Sequence, residues 1–137
     1  MSLILLIVDD EEMIRDMLSR HFSLLDYDVM TAANGREAVR ILETQRIDVV
    51  ITDVMMPDMN GIELLRYIKE HNPTLRPIVI TGYVTLDNAL SCLRLGAETF
   101  IFKPLQDLAE LENAVNRIEE RLKNWQRKLR ELRGMKP

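Results

Sequence analysis

Two rhythms of apolar and polar positions, one suited to buried strands and one to amphipathic helices, alternate five times along the chain. Residues 3–8 form an unbroken apolar run, the pattern of a strand covered on both faces of a parallel sheet. Met13, Met17, Leu18, Phe22 and Leu25 then recur at helical spacing, with Asp10 expected as the N-cap. A short strand is predicted over residues 29–32, and Asn34-Gly35 turns the chain into a helix carrying Ala38, Val39 and Leu42. The third strand, residues 47–52, ends at Asp53. A loop from Met55 to Gly61 follows, its Pro57-Asp58 and Asn60-Gly61 read as turn chemistry, then a helix with Ile62, Leu65 and Ile68 inward. Pro77–Thr81 reads as the fourth strand. The next helix carries Leu86, Ala89, Leu90, Leu93 and Leu95 and stops at Gly96. Thr99–Phe102 is the fifth strand, and Lys103-Pro104 leads into the last helix.

Five strand–helix pairs in this order predict an α/β fold, a doubly wound parallel five-stranded sheet, because right-handed crossovers place helices on both faces. In such an open sheet the ligand crevice lies beyond the carboxyl ends of the strands. Asp9 and Asp10 follow the first strand, Asp53 ends the third, Thr81 the fourth, and Lys103 comes just after the fifth. Only the second delivers nothing reactive.

Three converging carboxylates cannot all stay ionised without a neutralising cation. A hard divalent ion with oxygen ligands answers that need, and Mg2+ suits a site of few carboxylates, one backbone carbonyl and several waters. Such a charge beside Asp53 also favours an incoming phosphoryl group. Lys103 adds a compact positive charge, Thr81 a hydroxyl donor, and an aspartate is a competent nucleophile towards phosphorus.

The segments Val8-Asp9-Asp10-Glu11, Thr52-Asp53-Val54-Met55-Met56-Pro57-Asp58-Met59-Asn60-Gly61, Thr81-Gly82 and Phe102-Lys103-Pro104 resemble, in order, the receiver domains of two-component signalling. The chemotaxis response regulator is similar in plan, and the likeness runs from Leu3 to about Ile118. The resemblance implies a flavodoxin-like strand order 2-1-3-4-5. It implies that Asp53 accepts a phosphoryl group from the phosphohistidine of a sensor histidine kinase or phosphotransfer protein. Mg2+ would be held by the side chains of Asp10 and Asp53, by the Met55 carbonyl, and by Asp9 through water. Thr81 and Lys103 would hold the phosphoryl group, and the Lys103-Pro104 bond would be cis. Many receivers carry a Tyr three residues before the lysine; here Phe100 stands there, so the aromatic partner of Thr81 in the switch has no hydroxyl. Tyr83 is expected to overhang the site and to prolong the phosphorylated state by restricting water.

The chain has 137 residues, room for one domain of ordinary size. Its opening apolar run lacks the basic start of a signal peptide, and no stretch approaches the ~20 apolar residues of a membrane span. With the single Cys92 this predicts a cytoplasmic protein that engages no membrane. Cys92 itself reads as a small apolar filler, and His21 and His71 lack a second ligand at metal spacing.

Net charge is -4, unevenly spread: residues 117–137 hold eight Lys/Arg against three Glu, net +5, leaving -9 on the rest. An acidic body offers no counterion-release gain, so no direct DNA binding by this segment is expected.

Leu108, Leu111, Val115, Ile118, Leu122, Trp125, Leu129 and Leu132 repeat at alternating spacings of three and four, four heptads with apolar a and d positions. The reading is a receiver over residues 1–118 and an extension of its last helix over 119–137, a candidate coiled coil or linker. Leu122, Trp125, Leu129 and Leu132 are the expected dimerisation stripe; Arg121, Gln126, Lys128 and Arg133 beside it leave the partner's direction open. Either a twin copy or a downstream output domain would cover it.

The function expected is therefore a phosphorylation-controlled interaction switch, not a turnover enzyme beyond slow self-dephosphorylation. The alternatives are a phosphatase-like enzyme with an Asp nucleophile, or a receiver fragment of a longer regulator. Phosphatases of the first kind place a second Asp two residues after the nucleophile, where Met55 stands here.

Overall fold

The computed structural model describes residues 2–56, 59–82 and 84–135. It divides into two units, residues 1–106 and 107–137. The first contains β1 (Ile4–Val8), α1 (Glu12–Leu24), β2 (Asp28–Ala32), α2 (Gly35–Thr44), β3 (Val49–Asp53), α3 (Gly61–His71), β4 (Pro77–Thr81), α4 (Leu86–Arg94) and β5 (Thr99–Phe102). The second is the helix α5 (Ala109–Gly134).

All strand pairs are parallel, in the order β2-β1-β3-β4-β5. β3 and β4 are buried along their whole length, as their apolar runs require. Alternation along the strands sends Leu6, Val8 and Val50 into a cluster with Ala38 of α2 and Leu64 and Ile68 of α3. Val79 joins a neighbouring cluster with Leu65 and with Cys92 of α4. Cys92 is fully buried and burial pushes its thiol pKa up, the behaviour of a packing residue.

Local chemistry explains where elements begin. Asn34 and Asn60 cap α2 and α3, accepting hydrogen bonds from the backbone of Glu37 and Glu63. Gly96, at φ +90°, ends the turn after α4 in the left-handed region glycine favours.

Several expectations need correction. Asp10 does not cap α1: Glu11 is the N-cap residue and makes no side-chain cap bond, while the Asp10 carboxylate joins an acidic cluster instead. β3 starts at Val49 rather than at 47, because the Asp48 side chain accepts from Ile4 N at 2.8 Å and replaces a ladder bond there. Met13, Met17 and Leu25 face solvent; α1 buries only Leu18 and Phe22. On α4, Leu86, Leu90 and Leu93 are exposed and Cys92 takes the inner position. α5 starts at Ala109, after Asp107 accepts from Ala109 N at 2.9 Å.

Candidate functional site

Sheet register assembles the site before any side chain is considered. Val8 pairs with Thr52, so Asp9 and Asp53 emerge side by side from the ends of β1 and β3. Asp53 pairs with Ile80, and Thr81 pairs with Phe102, so Thr81 and Lys103 lie one step further along the same rim. Carboxylate oxygens of Asp9, Asp10, Glu11 and Asp53 all come within 4.8 Å of one another. Asp9, Asp53 and Thr81 are buried, whereas Asp10 and Glu11 are exposed at the mouth.

Lys103 is the counter-charge. Its ammonium donates to Asp53 Oδ2 at 2.9 Å, lies 2.9 Å from Asp9 Oδ2, and reaches Glu11 Oε1 at 3.3 Å. Burial alone would lower the lysine's pKa, but its hydrogen bond to Asp53 and the negative charges of Asp53 and Asp9 outweigh it and raise it. The lysine backbone is fixed too, its N–H donating to Thr81 O at 2.9 Å, and the Lys103-Pro104 peptide is cis. Pro104 itself is exposed.

The other oxygens are held by backbone. Asp53 Oδ1 accepts from Met55 N at 3.1 Å, and Asp9 Oδ1 from Glu11 N at 2.9 Å. Asp9 Oδ2 is buried and has only an ion pair by distance, with no hydrogen bond of good angle among the described residues. Burial raises the Asp9 pKa, and neighbouring Asp53 adds to this against the opposing Glu11 N–H and Lys103. A carboxyl with a raised folded-state pKa stabilises the fold most when protonated; that contribution disappears as pH rises through the folded-state value. Asp9→Asn should therefore raise the melting temperature of the Mg2+-free chain and flatten its pH dependence in the carboxylate range. Differential scanning calorimetry of both proteins from acid to neutral pH checks this, and a lower melting temperature in the variant would contradict it.

A buried carboxylate oxygen short of donors, three more carboxylates around it and one ammonium leave this pocket with excess negative charge. That donor set fits a hard divalent cation. Sequence reasoning had Asp9, Asp10, Asp53 and Lys103 as partners; it missed Glu11, whose only signal was its place directly after the two aspartates.

Phe100 is half-buried, packed on the cluster of Val79 and Cys92, and lines a groove with Leu90 and Leu93 between α4 and β5. Tyr83, Pro57 and Asp58 lie outside the described residues. Of the two histidines, His71 stacks on Tyr67 at 4.1 Å, and His21 meets Phe22 edge-on. No helix among the described residues is long and apolar enough to cross a membrane.

Known proteins share this plan. The family model described as response regulator receiver domain matches residues 5–116. Sporulation initiation phosphotransferase F of Bacillus subtilis is 38% identical over 113 residues, covering 82% of this chain and 90% of that protein. Regulatory protein AtoC of Escherichia coli is 37% identical over 128 residues, 93% of this chain but 27% of that one. The chain spans between 24% and 50% of the length of four such relatives. Among solved structures, a CheY-like receiver domain protein from Methanospirillum hungatei superposes with TM-score 0.84 at 31% identity, covering 90% of this chain and 99% of that one. Response regulator protein TrrA of Thermotoga maritima, solved in complex with Mg(2+)-BeF, gives 0.77 at 29% identity, over 85% and 98% of the two chains.

Proposed function

The chain belongs to the response regulator receiver family, and from that premise we propose that Asp53 is its phosphoacceptor and the acidic cluster its Mg2+ site. The observation that carries this reading is the pairing of Asp53 with Lys103 at 2.9 Å inside a ring of further carboxylates. Asp10, Asp53, the Met55 carbonyl and, through water, Asp9 would hold the ion, with Glu11 beside them. When bound, Mg2+ supplies positive charge against the phosphoryl oxygens.

The chain's own residues do the rest. A carboxylate oxygen of Asp53 attacks the phosphorus of a phosphohistidine; the new P–O bond forms as the P–N bond breaks, and the P–N electron pair stays on the departing imidazole, whose other ring nitrogen already carries its proton. Met55 N–H fixes the aspartate's orientation before attack. Lys103, kept protonated by its carboxylate neighbours, pairs its ammonium with the phosphoryl oxygens as the aspartate's own charge is consumed. The Thr81 hydroxyl, at the buried end of β4, takes another phosphoryl oxygen. Phe100, the aromatic partner of Thr81 that the family resemblance implies, lines the α4–β5 groove, and that face is the readout in this reading.

The receiver runs over residues 1–118 in this reading, supported by a family match ending at 116 and by burial on α5 ending at Ile118. Its donor is a sensor histidine kinase or phosphotransfer protein in the cytoplasm, the compartment favoured by a lone buried thiol. Self-dephosphorylation is slow, because Met55 stands where hydrolytic relatives of this chemistry need a second acid. Tyr83, two residues past the switch threonine in sequence, slows it further.

Incubation with a small phosphodonor and Mg2+, followed by intact mass, tests the assignment. Wild type should gain one phosphoryl group and Asp53→Asn none. Equal modification of both proteins would retire Asp53 as acceptor, and no dependence on Mg2+ would retire the metal site.

A further inference from the structure

The far half of α5 carries an apolar stripe that phosphoryl chemistry does not use. Burial along this helix covers Leu111, Ala114, Val115 and Ile118 and then stops. Beyond it Leu122 is half-buried, and Trp125, Leu129 and Leu132 are 61%, 53% and 63% exposed. These four occupy two successive heptads, Leu122 and Leu129 at a, Trp125 and Leu132 at d. We propose that this stripe pairs with the same stripe of a second copy of the chain, and that the two helices run antiparallel about a two-fold axis at the level of Arg127.

The register follows from which residues are available. If only Leu122, Trp125, Leu129 and Leu132 are open, an antiparallel pair sets each Leu122 against the second copy's Leu132, and each Trp125 against its Leu129. Large faces small in the central layers, as dense packing prefers. A parallel pair would instead set Trp125 against its own copy, overfilling one layer.

Charge decides in the same direction. Flanking positions face g to e in a parallel pair, but e to e and g to g in an antiparallel one. In parallel, Lys128 meets the second copy's Arg133 on both sides, and Arg121 meets Gln126: two like-charge contacts and no attractive one. In antiparallel, Glu119 meets the second copy's Arg133 on both sides, Gln126 meets itself, and Lys128 meets itself once. Two attractive contacts then stand against one repulsive contact. Glu119 is half-buried and lies 3.8 Å from Lys123 of its own helix, an ion pair that the contact with Arg133 of the second copy would have to share. The paired stretch, residues 119–135, spans about 25 Å, short enough that association should depend on concentration.

Sedimentation equilibrium of the full chain at low salt tests both parts, with circular dichroism melts to confirm that each variant folds. Wild type should show a monomer–dimer equilibrium and Leu129→Glu should be monomeric. Arg133→Glu turns both Glu119 contacts repulsive and should weaken association about tenfold; adding Glu119→Lys should restore it. In a parallel pair Arg133→Glu would face Lys128 and strengthen association. Tighter dimers of Arg133→Glu would overturn the antiparallel arrangement, and a wild type monomeric at every concentration would overturn the pairing itself.

Discussion

Replacing Lys103 by Met should cost the Mg2+-free protein about 3 kcal/mol of folding stability, the lower end of what breaking a buried ion pair costs. Its side chain is only 12% exposed, yet its ammonium lies within ion-pair distance of Asp9, Glu11 and Asp53. Removing it leaves four carboxylates within 4.8 Å of one another without the ammonium that lies among them. In a domain of this size the melting temperature should fall by on the order of 10 °C. Two conditions should narrow the gap between variant and wild type. Lowering the pH protonates Asp9, whose pKa is raised by burial, and so removes part of the repulsion that Lys103 offsets. Adding Mg2+ supplies the missing positive charge. The lysine's own titration plays no part near neutrality: a raised pKa means its contribution is intact below the ordinary lysine range and is lost only above it. Thermal melts of both proteins, with and without Mg2+, across the acid-to-neutral range check these expectations together. A variant as stable as wild type without metal would show that the carboxylates are not held by this charge.

The site was legible in the sequence because sheet geometry, not tertiary detail, brings it together. Strand ends are easy to place when five apolar runs alternate with amphipathic segments, and parallel register then lines up Asp9, Asp53, Thr81 and Lys103 without further information. The misreadings have a common cause. Asp10 has the composition of an N-cap, but its carboxylate joins those of Asp9 and Asp53, a neighbour 43 positions away. Met13 and Leu86 fit a helical period, yet which part of a broad apolar stripe faces the sheet depends on packing partners that periodicity does not reveal. The α5 stripe runs unbroken through eight residues, and only burial shows where its covered half stops and its open half begins. Gly61 was the least legible of all, since Asn60-Gly61 has the look of an ordinary turn.

Gly61 is there for close approach. It opens α3 directly against the end of β3, its N–H donating to Val54 O at 2.9 Å. A Cβ at this position would collide with the Asp53 carbonyl oxygen and stand 2.6 Å from the Val54 Cα. Both obstacles are backbone, so no rotamer change relieves them. The Asp53 carbonyl is also fixed from the other side, accepting from Thr52 Oγ1 at 2.9 Å. Gly61→Ala must therefore push the start of α3 away from the end of β3, or tilt Asp53, the proposed phosphoacceptor. Overpacking of this kind costs about 3 kcal/mol, and displacing a nucleophile by an ångström costs about a hundredfold in rate. The expected result is a destabilised protein whose phosphorylation by a small phosphodonor with Mg2+ slows by that order even below its melting temperature. Gly134→Ala is the control, because nothing lies within 4 Å of an added Cβ there, and it should be phosphorylated at the wild-type rate. Phosphorylation of Gly61→Ala at the control's rate would mean that the strand end and α3 do not meet as closely as this geometry requires.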